Sequence, residues 1–294
     1  MSIFAAINGN SPDQDYSMDI QTENKSRVIL ITGASSGIGA AAASALAARG
    51  DIVYGAARRA SLIPEGVIPL SMDLTDAGSV HSGVDRGMAD RGRIDILVNN
   101  AGYGYLGAIE NVTMEEARRQ LEVNLFGLAE LTKAVVPHMR ERESGRIVNI
   151  ASVAGHAVMY FGGWYHVSKF AVVAFSDALR IELAPFGIHV ITIEPGGVKT
   201  DWGGIAARHL AESSAGTPYE KDGSNMAALM EKGYSMNLLA KPEVVARSIL
   251  KACNSPRPKP RYRPGTGASS IVFWHAALPD RWWDALMRQG GKIR

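Results

Sequence analysis

From Arg27 onward, short unbroken runs of Val, Ile and Leu alternate with longer segments of mixed apolar and polar residues. The runs are Val28–Thr32, Ile52–Ala56, Val67–Ser71, Ile94–Val98, Arg146–Ile150 and His189–Ile193. Most lack an apolar/polar alternation, the mark of strands covered on both faces. Between them, Ala40–Arg49, Asp76–Arg91, Met114–Arg142 and Val167–Pro185 have helix-forming composition. Thr113-Met114-Glu115-Glu116 is a capping box opening the longest of these, and Gly50 stands where a helix end needs positive φ. The alternation predicts a single α/β domain with a doubly wound parallel sheet of about seven strands and helices on both faces. Ligands of such sheets bind beyond the carboxyl ends of the strands.

Three segments depart from the pattern. Residues 1–26 are polar and aperiodic and read as an extension outside the fold. Within the main domain, residues 27–265, the stretch 201–240 is rich in Gly, Ser, Ala and Met and is expected to be a mobile lid. Residues 266–294 form an apolar extension with Trp274, Trp282 and Trp283, which Pro279 keeps from being one long helix. Packing of these tryptophans on the protein itself is the expectation. Covering the pocket, docking on a second subunit and touching a membrane surface are the alternatives.

Composition narrows the classes. With 46% hydrophobic residues, 20% charged and a net charge of +2, no nucleic-acid partner is expected. The single cysteine, Cys253, forms no internal disulfide and fits a reducing cytoplasm. No apolar run of about 20 residues suggests a membrane span, and the short Met1–Ile7 lacks the basic leader of a secretory signal. No metal site is expected.

The candidate chemistry starts at Thr32-Gly33-Ala34-Ser35-Ser36-Gly37-Ile38-Gly39, between the first strand and a helix. Gly33 permits a tight turn, Gly37 lets the backbone approach a pyrophosphate, and Gly39 allows close helix–strand packing. The helix N-terminus around Ser36 and Ile38 offers free N–H groups to phosphates. Tyr165 and Lys169 are four residues apart, so a helix places them on one face. Tyrosine ordinarily titrates near 10. A neighbouring ammonium favours its phenolate and brings it toward a working range. Ser152 follows the fifth strand, thirteen residues before Tyr165, where its hydroxyl can hold a substrate oxygen.

With its Gly-x3-Gly-x-Gly turn and Tyr-x3-Lys pair, the chain resembles the short-chain dehydrogenase/reductase family over about Arg27 to Tyr262. The resemblance continues through Asp73, Asn99-Asn100-Ala101-Gly102 and Pro195-Gly196. It implies a Rossmann-type fold with a nicotinamide dinucleotide contacted by Ser35, Asp73, Leu74, Asn100, Ala101, Gly102, Pro195, Gly196, Val198 and Thr200. Asn99 would hold its turn, and Lys169 would also bond the nicotinamide ribose. It adds Asn124, in the long central helix, as support for a water-linked proton relay behind Lys169. At the end of the second strand the chain carries Arg58-Arg59 and no acid, which selects NADP(H), because guanidiniums pair with a 2′-phosphate.

The expected activity is therefore NADPH-dependent reduction of a ketone or aldehyde. Tyr103, His156, Met159, Tyr160 and Trp202 are candidate substrate contacts, with Ser152 and Tyr165. The run through Tyr103 and Gly104 looks most like the 17β-hydroxysteroid and retinol dehydrogenase-like branch, implying a bulky hydrophobic carbonyl. Many relatives are dimers or tetramers through two long helices, and a homo-oligomer is expected here. One rival is an NADP(H)-binding regulator without turnover, although such proteins typically lose the tyrosine or lysine. An epimerase or dehydratase of the related extended fold would carry different glycine spacing and a longer carboxyl-terminal domain.

Overall fold

The computed structural model describes residues 26–236 and 238–291. Seven parallel strands, β1 (Val28–Thr32), β2 (Ile52–Ala57), β3 (Ile68–Ser71), β4 (Ile96–Asn99), β5 (Gly145–Ile150), β6 (Ile188–Ile193) and β7 (Arg261–Tyr262), form one sheet. Their order is β3-β2-β1-β4-β5-β6-β7. The direction of winding reverses between β1 and β4, the place where such sheets open a crevice for ligands. Six strands match the expected runs within a few residues. The two-residue β7 was missed because Arg261-Tyr262 sits among prolines and carries no apolar run.

The helices are α1 (Gly37–Ala47), α2 (Ala77–Arg91), α3 (Met114–Leu121), α4 (Gly127–Glu141), α5 (Gly163–Leu183), α6 (Asp201–Ser214), α7 (Glu220–Ser235), α8 (Pro242–Asn254), α9 (Ala268–Ala277) and α10 (Asp280–Gly291). Successive strand residues face opposite sides of the sheet. Ile29 and Ile31 pack in a core that also contains residues of α1 and α8, while Val28 and Leu30 pack with residues of α2, α4 and the end of α5. Double-sided cover is why the strands read as continuous apolar runs.

Two expected helices are corrected, and helices in two further stretches had not been anticipated. The helix read as Met114–Arg142 is interrupted by a wider π turn at Glu122–Phe126, which contains Asn124. The Val167–Pro185 helix begins earlier, at Gly163, and so includes Tyr165. The stretch 201–240, expected to be a mobile lid, is mostly built of the helical pair α6 and α7, which its Gly and Ser content hid. Helix α8 went unassigned although Pro242 stands in its first turn, a favoured position for proline. The capping reading holds, since Thr113 accepts a hydrogen bond from the Glu116 N–H at 3.2 Å. Gly50 has φ +87°. Apart from Ser26, the 1–26 extension lies outside the described residues.

The tail folds back as α9 and α10, broken at Pro279. Trp283 is buried and its indole N–H donates to the Val158 carbonyl at 3.0 Å, whereas Trp274 and Trp282 are exposed. Self-packing thus holds for one tryptophan of the three. Among the described residues, no helix is long and apolar enough to cross a membrane.

A buried ion cluster fastens β6 to its surroundings. Glu194, with a fully buried side chain, pairs with His156 (3.0 Å), Arg261 (2.7 Å) and Arg263 (2.8 Å). Burial alone would raise its carboxyl group, but the close contact with His156 and the hydrogen bonds from Arg261 and Arg263 outweigh that and hold it at about 2, against an ordinary 4.5. A depressed carboxyl contributes stability above its unfolded value and loses it as pH falls through the folded one. Glu194→Gln is therefore expected to cost up to about 3 kcal/mol at pH 7. In denaturant titrations, its deficit relative to the parent protein should shrink as pH falls from about 4.5 to about 2.

Candidate active site

A cleft of about 990 Å³ runs across the carboxyl ends of β1, β2, β4, β5 and β6. One wall is the glycine turn. Gly33 and Gly37 take φ of +67° and +55°, conformations that side chains other than glycine adopt rarely. Ser36 precedes α1 in extended conformation and makes no side-chain cap, so the first N–H groups of the helix, which have no partner within it, open at the cleft wall. Gly39 stands behind this wall rather than in it. A Cβ there would come within 2.2 Å of the Gly33 carbonyl oxygen and 2.4 Å of Asn100 Nδ2. Its role is close packing.

The turn is fixed from β4. Asn100 Nδ2 donates to the carbonyls of Thr32 (2.9 Å) and Gly33 (3.3 Å), and Thr32 Oγ1 accepts from the N–H groups of Asn100 and Ala101, both at 3.0 Å. Asn99, expected to hold the turn, instead points into the core, where its amide donates to Thr132 and Asn149. Arg58 and Arg59 are exposed at the mouth beside Asp73. Asp73 Oδ1 accepts hydrogen bonds from the Thr75 N–H and hydroxyl. The backbone hydrogen bond from Thr75, with smaller help from its hydroxyl and from the Arg58 and Arg119 charges, lowers the Asp73 carboxyl below its usual value. Ser35, Ile38, Leu74, Ala101, Gly102, Pro195, Gly196, Val198 and Thr200 complete this half of the cleft.

These features fit a dinucleotide. A glycine-rich turn with small side chains meets a helix N-terminus at one point, and two guanidiniums stand at the mouth of the same cleft.

Ser152, Tyr165 and Lys169 all face the same cleft. Ser152 begins a short turn after β5; its hydroxyl accepts from the Ala154 N–H at 3.1 Å and donates to the Pro195 carbonyl at 3.4 Å. Lys169 lies one turn after Tyr165 on α5, its Nζ 5.9 Å from the centre of the tyrosine ring. The ammonium donates to the Ile150 carbonyl at 3.0 Å, and burial pushes it down to about 8. The aromatic ring of Trp202 closes over Tyr165 with centroids 5.1 Å apart.

Asn124 is buried just outside the cleft. Its side chain donates to the Tyr103 carbonyl (2.9 Å) and to Ser168 Oγ (3.0 Å) and accepts from the Tyr103 N–H (3.0 Å). A Cβ on Gly102 would lie 3.0 Å from Asn124 Oδ1 and 3.7 Å from Lys169 Nζ, so the glycine keeps the space between those two groups open.

Of the expected substrate residues, Tyr103, Met159 and Trp202 line the cleft, with Ser152 and Tyr165. His156 does not; it turns to the buried Glu194. Tyr160 packs edge-on against Phe161 in a small core with α6 and α7. Residues not anticipated also line the cleft, among them Arg119 of α3, His209 of α6, Met226, Leu229 and Met230 of α7, and Ile271 of α9. The spacing of the α7 residues was a usable signal. Nothing in the sequence marked Ile271.

The sequence profile described as short chain dehydrogenase matches residues 27–209. The chain is 43% identical over 174 residues to a 3-ketodihydrosphingosine reductase of Bacteroides thetaiotaomicron, covering 59% of this chain and 65% of that one. It is 34% identical to a probable short-chain type dehydrogenase/reductase, VdlC, of Helicobacter pylori, over 88% of this chain and 96% of the relative. Among solved structures, a short-chain dehydrogenase from Streptomyces avermitilis superposes with a TM-score of 0.73 at 32% identity, covering 90% of this chain and 98% of the other. The chain belongs to the short-chain dehydrogenase family of nicotinamide-dependent oxidoreductases.

Proposed function

We propose that the protein is an NADPH-dependent carbonyl reductase acting on a hydrophobic ketone or aldehyde. The observation that carries the reading is that Ser152, Tyr165 and Lys169 face one cleft together with the uncapped glycine turn and Arg58-Arg59. When bound, the nicotinamide supplies the hydride. Tyr165 gives its hydroxyl proton to the carbonyl oxygen, and Ser152 donates a hydrogen bond to that oxygen as negative charge develops on it. Lys169, held by the Ile150 carbonyl, keeps a positive charge close to the tyrosine and would also bond the nicotinamide ribose. The π turn at Asn124 departs from the regular helical pattern, and Asn124 and Lys169 both border the space at Gly102, which suits a water-linked proton path.

NADPH is favoured over NADH because Arg58 and Arg59 are exposed and make no ion pair with a carboxylate among the described residues. A ketone substrate agrees with the name of the Bacteroides relative. The exposed apolar residues Val167, Phe170 and Ile181 on α5 and Phe126 before α4 support self-association through these helices. Cys253 is buried, and burial pushes its thiol up to about 12, an unreactive state compatible with a reducing cytoplasm.

Two experiments test the reading. Tyr165→Phe is expected to bind NADPH as the parent protein does, by fluorescence titration, while reduction falls by about 10²–10⁴-fold. Retained turnover would assign the acid elsewhere, and absence of turnover in the parent protein across a panel of hydrophobic ketones would favour a binding protein. Replacing both Arg58 and Arg59 with Ala should weaken NADPH on the order of 100-fold while changing NADH little. Equal loss for the two cofactors would remove the assignment.

A further inference from the structure

Residues of the α6–α7 hairpin and of α9 line one arm of the same cleft that Tyr165 and Trp202 border. On α7, Met226, Leu229, Met230 and Gly233 occupy positions i, i+3, i+4 and i+7, one face of the helix. All four line the cleft, as do Ile205 of α6 and Ile271 of α9. None of the six is charged or polar. Leu229 is 47% exposed and Ile205 46%, so their apolar surface stands open rather than packed.

Gly233 has no folding rationale of its own. Interior glycine costs a helix roughly 1 kcal/mol relative to alanine. Here a Cβ would meet nothing within 4 Å, and φ is not in the positive region, so neither packing nor conformation requires glycine. What the missing side chain does leave is an open end to the apolar stripe. From Met226 to Gly233 the helix rises about 10 Å, the length of an alkyl chain of about eight carbons. The two methionines, flexible and polarizable, suit a chain that varies in conformation better than a rigid ring system.

We infer that this arm holds an unbranched alkyl chain, and that the substrate is a straight-chain ketone or aldehyde whose carbonyl reaches Tyr165 while its chain runs along α7 toward Gly233. The inference rests on the carbonyl-reductase reading for the reacting end, but the groove can be tested without turnover.

The test uses straight-chain 2-alkanones of four to twelve carbons with the full-length protein saturated with NADP⁺. Their binding is followed by calorimetry, and NADPH oxidation is measured in parallel. Affinity should rise about fourfold per added methylene, the equivalent of about 0.8 kcal/mol, until the arm is filled. Gly233→Leu should keep or raise the melting temperature and bind the shortest ketones unchanged, yet lose most of the gain for longer chains. Leu229→Asn should reduce the gain per methylene, giving an independent variant if Gly233→Leu fails to fold. Affinity that stays flat with chain length overturns the inference, including where a second copy of the chain already fills the groove. So does Gly233→Leu retaining the full gain. Length-dependent binding without NADPH oxidation would uphold the groove and remove the reductase reading, whereas oxidation with no length dependence would do the reverse.

Discussion

Four hydrogen bonds between Thr32–Gly33 and Asn100–Ala101 join the ends of β1 and β4, and the rest of the site hangs from that seam. The winding of the sheet reverses there, so adjacent crossovers leave in opposite directions and a crevice opens between them. A crevice is mechanically weak unless something other than the strand ladder crosses it. The Asn100 amide and the Thr32 hydroxyl do so using backbone groups that would otherwise lack partners. The glycine turn is thereby set at one height relative to Ser152 and α5, which are registered on the same sheet through β5.

A second set of constraints acts from the opposite edge. Glu194 is buried at the end of β6 and draws together His156 from the turn after β5 and both arginines of the β7 region. Pro195 follows immediately and takes the Ser152 hydroxyl and the Val153 N–H on its carbonyl. The charge cluster thus determines where the serine sits, even though no member of it belongs to the expected reacting set. Removing one partner of such a cluster is costly because the remaining charges stay buried.

Much of this was legible in the sequence, for physical reasons. Strands covered on both faces must be apolar throughout, so six of seven could be read directly. A glycine turn between a strand and a helix has few alternative uses, and the Tyr165–Lys169 spacing fixes a helical face. The π turn could not be read, because its residues Glu122-Val123-Asn124-Leu125-Phe126 suit an ordinary helix and carry no local signal of widening. His156 was assigned to the cleft because proximity in sequence says nothing about the far side of a turn, where Glu194 waits. The α6–α7 hairpin was obscured by weak helix formers; what stabilises it is packing of Ala206, Ala207 and Leu210 against Leu106 and Phe161. Ile271 reaches the cleft only because the tail folds back, which no local pattern records.

The bond from Trp283 to the Val158 carbonyl joins two points 125 residues apart in the chain. Val158 lies between Ser152 and Tyr165, in the loop that spaces the two expected catalytic hydroxyls. During synthesis the sheet through β6, the glycine turn and both hydroxyls therefore emerge well before the residue that braces this loop from outside. A protein cut short before Trp283 would carry every expected reacting group but lack this bond to the loop between them.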